Sequence, residues 1–167
     1  MRQTHPINPF FIGGNSRAFY DSTLAVTIMS AMKGSILIIM AAVLGASGVL
    51  IGAYHAHGLQ ATLQMQGLAE ADRAERMDQC ALAVRYQMIH ALALLSVGIL
   101  ASRAPGRRFC TTGLLIAAGT LLFCGGIYSI VFAGNLIHWA IIPSGGMLLA
   151  AGWIVLAIET CLNRQTG

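Results

Sequence analysis

The feature that most constrains this chain is a run of twenty residues without a charge, GSILIIMAAVLGASGVLIGA, at positions 34–53. At a rise of about 1.5 Å per residue, a helix of that length spans the roughly 30 Å hydrocarbon core of a bilayer. Because lipid offers no hydrogen-bond partner to the backbone, such a segment is stable there as a helix, which satisfies its own backbone groups. The run therefore predicts a transmembrane helix.

The rest of the chain repeats this pattern three times. Of its 167 residues, 56% are hydrophobic and only 10% are charged, against roughly a quarter charged in an average soluble domain. Further apolar segments lie at residues 81–101, 110–133 and 139–161. We therefore expect an all-α integral membrane domain of four transmembrane helices over residues 34–162, followed by a short tail at residues 163–167.

The first 33 residues mix proline, glycine, asparagine and aromatic residues without periodicity. This composition is typical of a loose tail or of a segment lying at the membrane interface. The sequence from Met32 onward, MKGSILIIM, resembles the start of a protein chain. An upstream start that adds nothing to the fold is therefore the alternative interpretation of this tail. Cleavable signal peptides have shorter apolar cores than the first span, so we expect it to be retained.

Charges near the spans predict the orientation. The polar segment 55–80 carries four of the six acidic residues, with arginines at helical spacing, and is expected to form a solvated helix that runs into the second span. The side that holds both termini has six basic residues, and the opposite side has three, which predicts that both termini are cytoplasmic. The six are Arg17, Lys33, Arg103, Arg107, Arg108 and Arg164, and the three are Arg73, Arg76 and Arg85.

Small residues at helical spacing predict where the helices pack, because association in lipid depends on close approach. The candidates for these packing faces are Gly45, Gly48, Gly52, Gly125, Gly145 and Gly146. Pro143 precedes the last pair and removes one backbone donor, so a bend is expected in the fourth span. If that bend forms, the freed carbonyls could instead coordinate a ligand.

Polar residues from all four spans fall in the predicted outer half of the membrane. Tyr86 and His90 share one face of the second span, and a histidine near the midplane is costly unless it is paired inside the bundle. It indicates either a ligand- or proton-handling site or a neutral histidine hydrogen-bonded for structural reasons. Arg85 is expected to reach the interface or to pair with Asp78. His55 and His138 are weaker candidates.

The sequence YHAHG at the end of the first span raises the question of a metal. On a helix, residues two apart point about 200° apart, so His55 and His57 could chelate together only in an extended segment. A site needs three or four ligands, and the four cysteines show no CxxC spacing. No metal site is predicted, and the cofactor, if there is one, stays unknown.

Four ordered stretches resemble the small membrane family called domain of unknown function 423, which includes the transmembrane-protein-256-like proteins. They are GAYHAHGL, YQMIHALALL, FCGGIYSI and IPSGGMLLAAGW. The resemblance as a whole extends from about residue 32 to residue 162. The family's first motif usually reads Gly-Ala-Phe-Gly-Ala-His-Gly, so His57 matches its histidine and His55 stands where glycine is usual. In the third motif, Cys124 and Gly126 replace two serines.

The resemblance implies a four-span fold in a membrane, for bacterial members the inner membrane, and it implies no activity. Residues carried over from the motifs complete the candidate polar site, which consists of His57, Tyr86, Gln87, His90 and Tyr128. The expected function is that of a non-enzymatic accessory or small-molecule-binding membrane protein. The alternatives are a redox protein that holds haem, a metal or a quinone, and a small oligomeric transporter or channel.

The partners expected from the sequence are the lipid bilayer and either further copies of the chain or another membrane protein. Nucleic acid is not expected, because the basic residues are spread thinly and form no patch between aromatic residues. The sequence contains no P-loop, GxSxG or HExxH motif, so no soluble-enzyme chemistry is indicated.

Overall fold

A computed structural model describes residues 14–103, 109–135 and 138–164 of the protein, and these residues form helices joined by short connections. In chain order the elements are α1 (Gly14–Tyr54), a π-helix (His55–Leu59), α2 (Gln60–Met65), α3 (Glu70–Arg103), α4 (Cys110–Ala133) and α5 (Ile141–Arg164). Within these ranges, four helical segments are long and apolar enough to cross a membrane, namely Met32–Met65, Glu70–Arg103, Cys110–Ala133 and Ile141–Leu162. The predicted all-α architecture of four spans is confirmed.

The four long helices pack as a row rather than as a closed square. α1 lies on α3, α3 on α4 and α4 on α5, with only a light contact between α1 and α4. In the most apolar windows of the two middle helices, 39% and 44% of residues are buried, against 17% in both outer helices. Many large hydrophobic side chains are exposed on the outside of the bundle, among them Ile39, Leu92 and Ile154, as expected for a surface that contacts lipid.

Helix α1 differs from expectation at both ends. It begins at Gly14, so residues 14–33 of the predicted tail are helical and continuous with the first span, and residues 1–13 lie outside the described part. The helical path also continues beyond Gly58, through the π-helix and α2, and ends at Gly67, whose φ of 71° terminates it. The extension is stabilised because Leu59 and Leu63 are almost fully buried against the bundle.

Helix α3 begins at Glu70 and runs unbroken to Arg103. The predicted solvated helix and the second span are therefore one continuous element. Glu70 and Asp72 lie in its first turn, where negative charge is favourable beside the exposed backbone N–H groups.

The expected cause of a bend in the fourth span, a proline in the helix interior, is absent because α5 begins later than the apolar segment does. Its first residue is Ile141, so Pro143 lies in the first turn, where a backbone N–H has no partner within the helix anyway. The proline therefore frees no backbone carbonyl in the membrane-spanning part of α5. The alternative that freed carbonyls coordinate a ligand there has no support.

The candidate packing glycines differ in what surrounds them. A Cβ atom built on Gly145 would meet backbone atoms of Phe123, and one on Gly48 would lie 2.8 Å from Met88 Sδ. Gly52 and Gly146 have side-chain neighbours at 3.3 and 3.7 Å, respectively. A Cβ atom built on Gly45 or Gly125 would have no neighbour within 4 Å, so an added methyl group at either position would enter open space.

Candidate functional site

The predicted polar residues separate into two groups on different faces of α3. Gln87 points toward α1 and α4, whereas Tyr86 and His90 point toward α4 and α5. The cavities beside the two groups share no lining residue. The structure therefore brings the predicted residues into two sites rather than one.

Gln87 joins three helices by direct hydrogen bonds. Its side-chain Nε2 donates to the Leu44 carbonyl at 2.7 Å and to Ser47 Oγ at 2.8 Å, and its Oε1 accepts from Tyr128 Oη at 2.8 Å. The side chain is only 3% exposed. Every donor of the amide is used, and this satisfies the requirement that a polar group buried in a bundle be paired.

A cavity of about 190 Å³ lies beside this amide, between α1, α3 and α4. Its walls include Thr120 and Cys124, but both side chains already donate to carbonyls, Thr120 to Ile116 and Cys124 to Ala83. The polar groups around the cavity are therefore committed to the protein, and the Gln87 group has the character of a clamp between helices.

His90 is 6% exposed, and its side chain is directed toward α5 rather than α1. Its Nδ1 is 2.8 Å from the Tyr86 carbonyl and its Nε2 is 3.4 Å from Nε1 of Trp153. A carbonyl only accepts and an indole N–H only donates, so the proton is on Nδ1 and Nε2 is the acceptor. The bond from Trp153 is longer than the usual 2.7–3.2 Å range, so the acceptor of His90 is only weakly engaged.

Aromatic rings surround this histidine. The Tyr86 ring lies 5.9 Å from the His90 ring and 4.8 Å from that of Phe123, and the Trp153 ring is 6.3 Å from His90 between centroids. These residues line a groove of about 480 Å³ between α3, α4 and α5, together with Ile89, Gly146, Leu149 and Ala150. We call it the aromatic groove. Small-molecule sites are typically of this volume and combine apolar walls with few polar groups.

The structure does not bring His57, one of the candidate site residues, to Tyr86 and His90. His57 lies in the π-helix, its side chain is exposed, and no hydrogen bond or ring contact joins it to either residue. Because the chain stays helical through the π-turn, the His57 side chain points away from the bundle. His55 points inward instead, and its Nε2 donates to the Met77 carbonyl at 3.1 Å.

The remaining weaker candidates lie outside both groups. Arg85 is exposed and forms neither a hydrogen bond nor an ion pair with any described residue, so the expected pair with Asp78 is absent. His138 is also exposed and accepts the backbone N–H of Ala140 at 3.2 Å just before α5. Its role in the structure is local to that turn.

Sequence reasoning misses partners of both groups. In the sequence, Ser47 belongs to a small-residue span and Trp153 to a family motif, yet each bonds a predicted site residue. The pair formed by buried Thr112 and Glu159, whose oxygens are 2.7 Å apart between α4 and α5, is also missed. An acidic residue inside an apolar segment is the signal that could have found the last pair.

No group of three or more histidine, cysteine or acidic side chains in the described ranges is arranged to hold a metal ion. Instead, His90 Nε2 is a hydrogen-bond acceptor that receives only one long bond, and it lies in a groove with apolar and aromatic walls. Together with the four spans, this describes a small integral membrane protein with a fully hydrogen-bonded polar clamp at Gln87 and an open aromatic groove at His90.

Comparison with known proteins agrees with this class. The family described as "Protein of unknown function (DUF423)" matches residues 51–146. A UPF0382 membrane protein of Staphylococcus aureus is 34% identical over 125 residues, which is 75% of this chain and 94% of the relative. One from Haemophilus influenzae is 38% identical over 119 residues, covering 70% and 86% of the two chains. No solved structure matches.

The chain belongs to this DUF423 family of small membrane proteins. The UPF0382 inner membrane protein YgdD of Escherichia coli is 30% identical over 137 residues, which is 81% of this chain and 97% of YgdD. The predicted family and the predicted location in the bacterial inner membrane are confirmed. The family carries no assigned activity, in agreement with the implication of the resemblance.

Proposed function

We propose that the protein is a non-enzymatic membrane protein that binds a small amphiphile in the aromatic groove. The ligand class is an apolar molecule with one hydroxyl or other hydrogen-bond donor. The observation that carries this proposal is the 3.4 Å separation between Trp153 Nε1 and His90 Nε2 at the wall of a groove of about 480 Å³. A ligand that donates a hydrogen bond of ordinary length would satisfy His90 Nε2 better than the indole N–H of Trp153 does.

The groove favours an apolar ligand that arrives from the bilayer. Trp153 is 46% exposed and Tyr86 is 37% exposed, so the aromatic side chains form an outer wall that a lipid-soluble molecule can reach. Their rings supply large apolar area, and the imidazole fixes the position of the polar end. The His90 side chain forms no hydrogen bond to a described acid or nucleophile, which supports binding rather than catalysis.

The test is photolabelling of the purified protein in nanodiscs. The probe is a long-chain alcohol with a diazirine in its chain, compared with the alkane that carries the same diazirine. We expect saturable labelling of α3 and α5 peptides by the alcohol, competition by the unlabelled alcohol, and weaker labelling by the alkane.

His90→Phe removes the acceptor but keeps a ring, and His138→Phe is the matched control because His138 is exposed outside the groove. His90→Phe should remove the preference for the alcohol, and His138→Phe should leave it unchanged. Labelling that is equal in both variants, or that is spread over all apolar surfaces without saturation, would overturn the proposal.

We also propose that both termini are cytoplasmic, since six basic residues near the spans lie on that side and three lie on the other. The partners we infer are the bilayer and a second membrane protein or further copies of the chain, with no nucleic acid. A green fluorescent protein fused to the C-terminus should fluoresce, and alkaline phosphatase fused there should be inactive. The reverse result would place the termini outside.

A further inference from the structure

A second groove lies between α1 and α4, away from the aromatic groove. Its volume is about 340 Å³, and its lining residues are Lys33, Ile36, Leu37, Met40, Cys110 and Leu114. Those of α1 follow an i, i+3, i+4, i+7 pattern, which places them on one helix face. Lys33 stands at one end of this stripe, and the stripe extends from it for about 10 Å along the helix.

The groove exists because α1 lies mainly on α3 and touches α4 only lightly. The contact with α4 is made where Leu37 sits against Gly113, whose missing side chain leaves room for the leucine. Ile36 and Leu114 remain 56% and 66% exposed along the rim, so the groove opens toward the lipid.

The charge at the end of the groove has no partner among the described residues. None of the described carboxylates pairs with Lys33. Glu159 lies at the same end of the bundle, but its carboxylate accepts a hydrogen bond from Thr112. Thr112 is two residues from both Cys110 and Leu114, so it lies on the other side of α4 from the groove. Arg103, at the end of α3, adds a second exposed cation at this end.

We propose that this groove binds one anionic phospholipid, with an acyl chain along the α1–α4 groove and the phosphate at Lys33. An apolar channel that begins at an ammonium group with no partner among the described residues matches a phospholipid, whose acyl chains are linked through glycerol to a phosphate. At about 30 Å³ for each water-sized group, 340 Å³ holds on the order of ten methylene groups, which is a substantial part of one acyl chain. This lipid site is independent of the amphiphile proposed for the aromatic groove.

The test is native mass spectrometry of the delipidated full-length protein after addition of phosphatidylglycerol or phosphatidylcholine of equal chain length. We expect one phosphatidylglycerol to bind with about five-fold preference, the fold-change given by about 1 kcal/mol per basic residue near a membrane surface. Lys33→Gln should remove the preference and Lys33→Arg should keep it. Glycerol phosphate, which has no chains, should not displace the lipid.

Leu114→Trp fills the groove and should weaken binding of both lipids. Leu50→Trp is the matched control, because Leu50 is another exposed leucine, 71% accessible, that lines neither this groove nor the aromatic groove. Equal binding of the two lipids to the wild-type protein, or unchanged selectivity in Lys33→Gln, would overturn the proposal. So would a dimer that Leu114→Trp converts to monomer, since a second copy would then occupy the groove. Circular dichroism and elution volume show whether each variant is folded.

Discussion

Gln87 and His90 are both buried polar residues of α3, but the neighbouring helices satisfy their hydrogen-bonding groups to different degrees. On one face, Gln87 makes three hydrogen bonds of 2.7–2.8 Å to α1 and α4. On the other, His90 reaches α5 through a single contact of 3.4 Å beside a groove of about 480 Å³. Both are polar residues buried in a membrane bundle, three positions apart.

The difference separates residues that hold the fold from residues that can exchange partners. A fully satisfied amide gains nothing from a ligand, and breaking its bonds leaves several buried groups unpaired. A histidine with one long bond loses little when that bond is replaced. We therefore predict large effects on stability at the clamp and small ones at the groove, with the helix contact at Gly145 as the reference for a purely steric effect.

The largest expected effect is that of Gly145→Ala. A Cβ at this position would meet the backbone of Phe123, including its Cα at 2.8 Å, so α4 and α5 must move apart. We expect a loss of about 3 kcal/mol in the free energy of unfolding, the upper end of the roughly 1–3 kcal/mol range for overpacking, because the clash is with backbone atoms. It is measured by titrating the protein from mild detergent into sodium dodecyl sulfate.

Gly125→Ala is the matched control, since nothing lies within 4 Å of a Cβ at Gly125. Its effect should be within about 0.5 kcal/mol of zero, or stabilising by up to about 1 kcal/mol because alanine is the better helix former. Equal destabilisation by the two substitutions would show that the α4–α5 contact is not set by Gly145.

Gln87→Leu should be next in size. It removes all three hydrogen bonds and leaves the hydroxyl of Tyr128 without its acceptor, so we expect a loss of about 2 kcal/mol in the same titration. Gln60→Leu, at an exposed glutamine of α2, should change the unfolding free energy by less than about 0.5 kcal/mol. A loss below that value for Gln87→Leu would mean that the clamp does not hold the helices together.

Tyr128→Phe removes one of those bonds and should cost about 0.6–1 kcal/mol, the usual value for a hydrogen bond between membrane helices. Because the tyrosine and the glutamine act on each other, the double variant with Gln87→Leu should cost less than the sum of the two single ones. Strict additivity in this cycle would contradict a direct bond between the side chains.

The smallest expected effect on stability is that of Trp153→Phe, which keeps the ring and removes the indole N–H. Since the lost bond is 3.4 Å long, the unfolding free energy should fall by less than about 0.5 kcal/mol. Photolabelling by the alcohol should rise, because the ligand no longer competes with the indole for His90. Destabilisation by Trp153→Phe as large as that by Gln87→Leu would show that the Trp153–His90 bond holds the helices together.

Much of the fold could be predicted from the sequence, because charge-free runs of about twenty residues have one stable form in a bilayer. The helix that joins the polar segment to the second span was equally predictable from its spaced charges. Element ends were less predictable. The first span was expected to end at residue 53, but the helical path continues to Met65 because Leu59 and Leu63 are buried by tertiary packing. Such packing leaves no local signal in the sequence.

The candidate site could be predicted in its members but not in its grouping. Helical spacing shows that Tyr86 and His90 share a face, yet it does not show which neighbouring helix that face meets. Because α1, α3, α4 and α5 form a row, adjacent positions of α3 belong to different interfaces. Trp153 and Ser47 became partners only through that arrangement.

The π-turn at His55–Leu59 has a consequence for chain length. A π-turn holds one residue more than an α-turn over a similar stretch of axis, so removing a single residue there returns the segment to a regular helix and leaves the orientation of α2 unchanged. We expect relatives that are one residue shorter at this point to retain the inward side chains of α2. A one-residue deletion in the middle of α3 would instead turn every later side chain by about 100°, carrying His90 away from its groove.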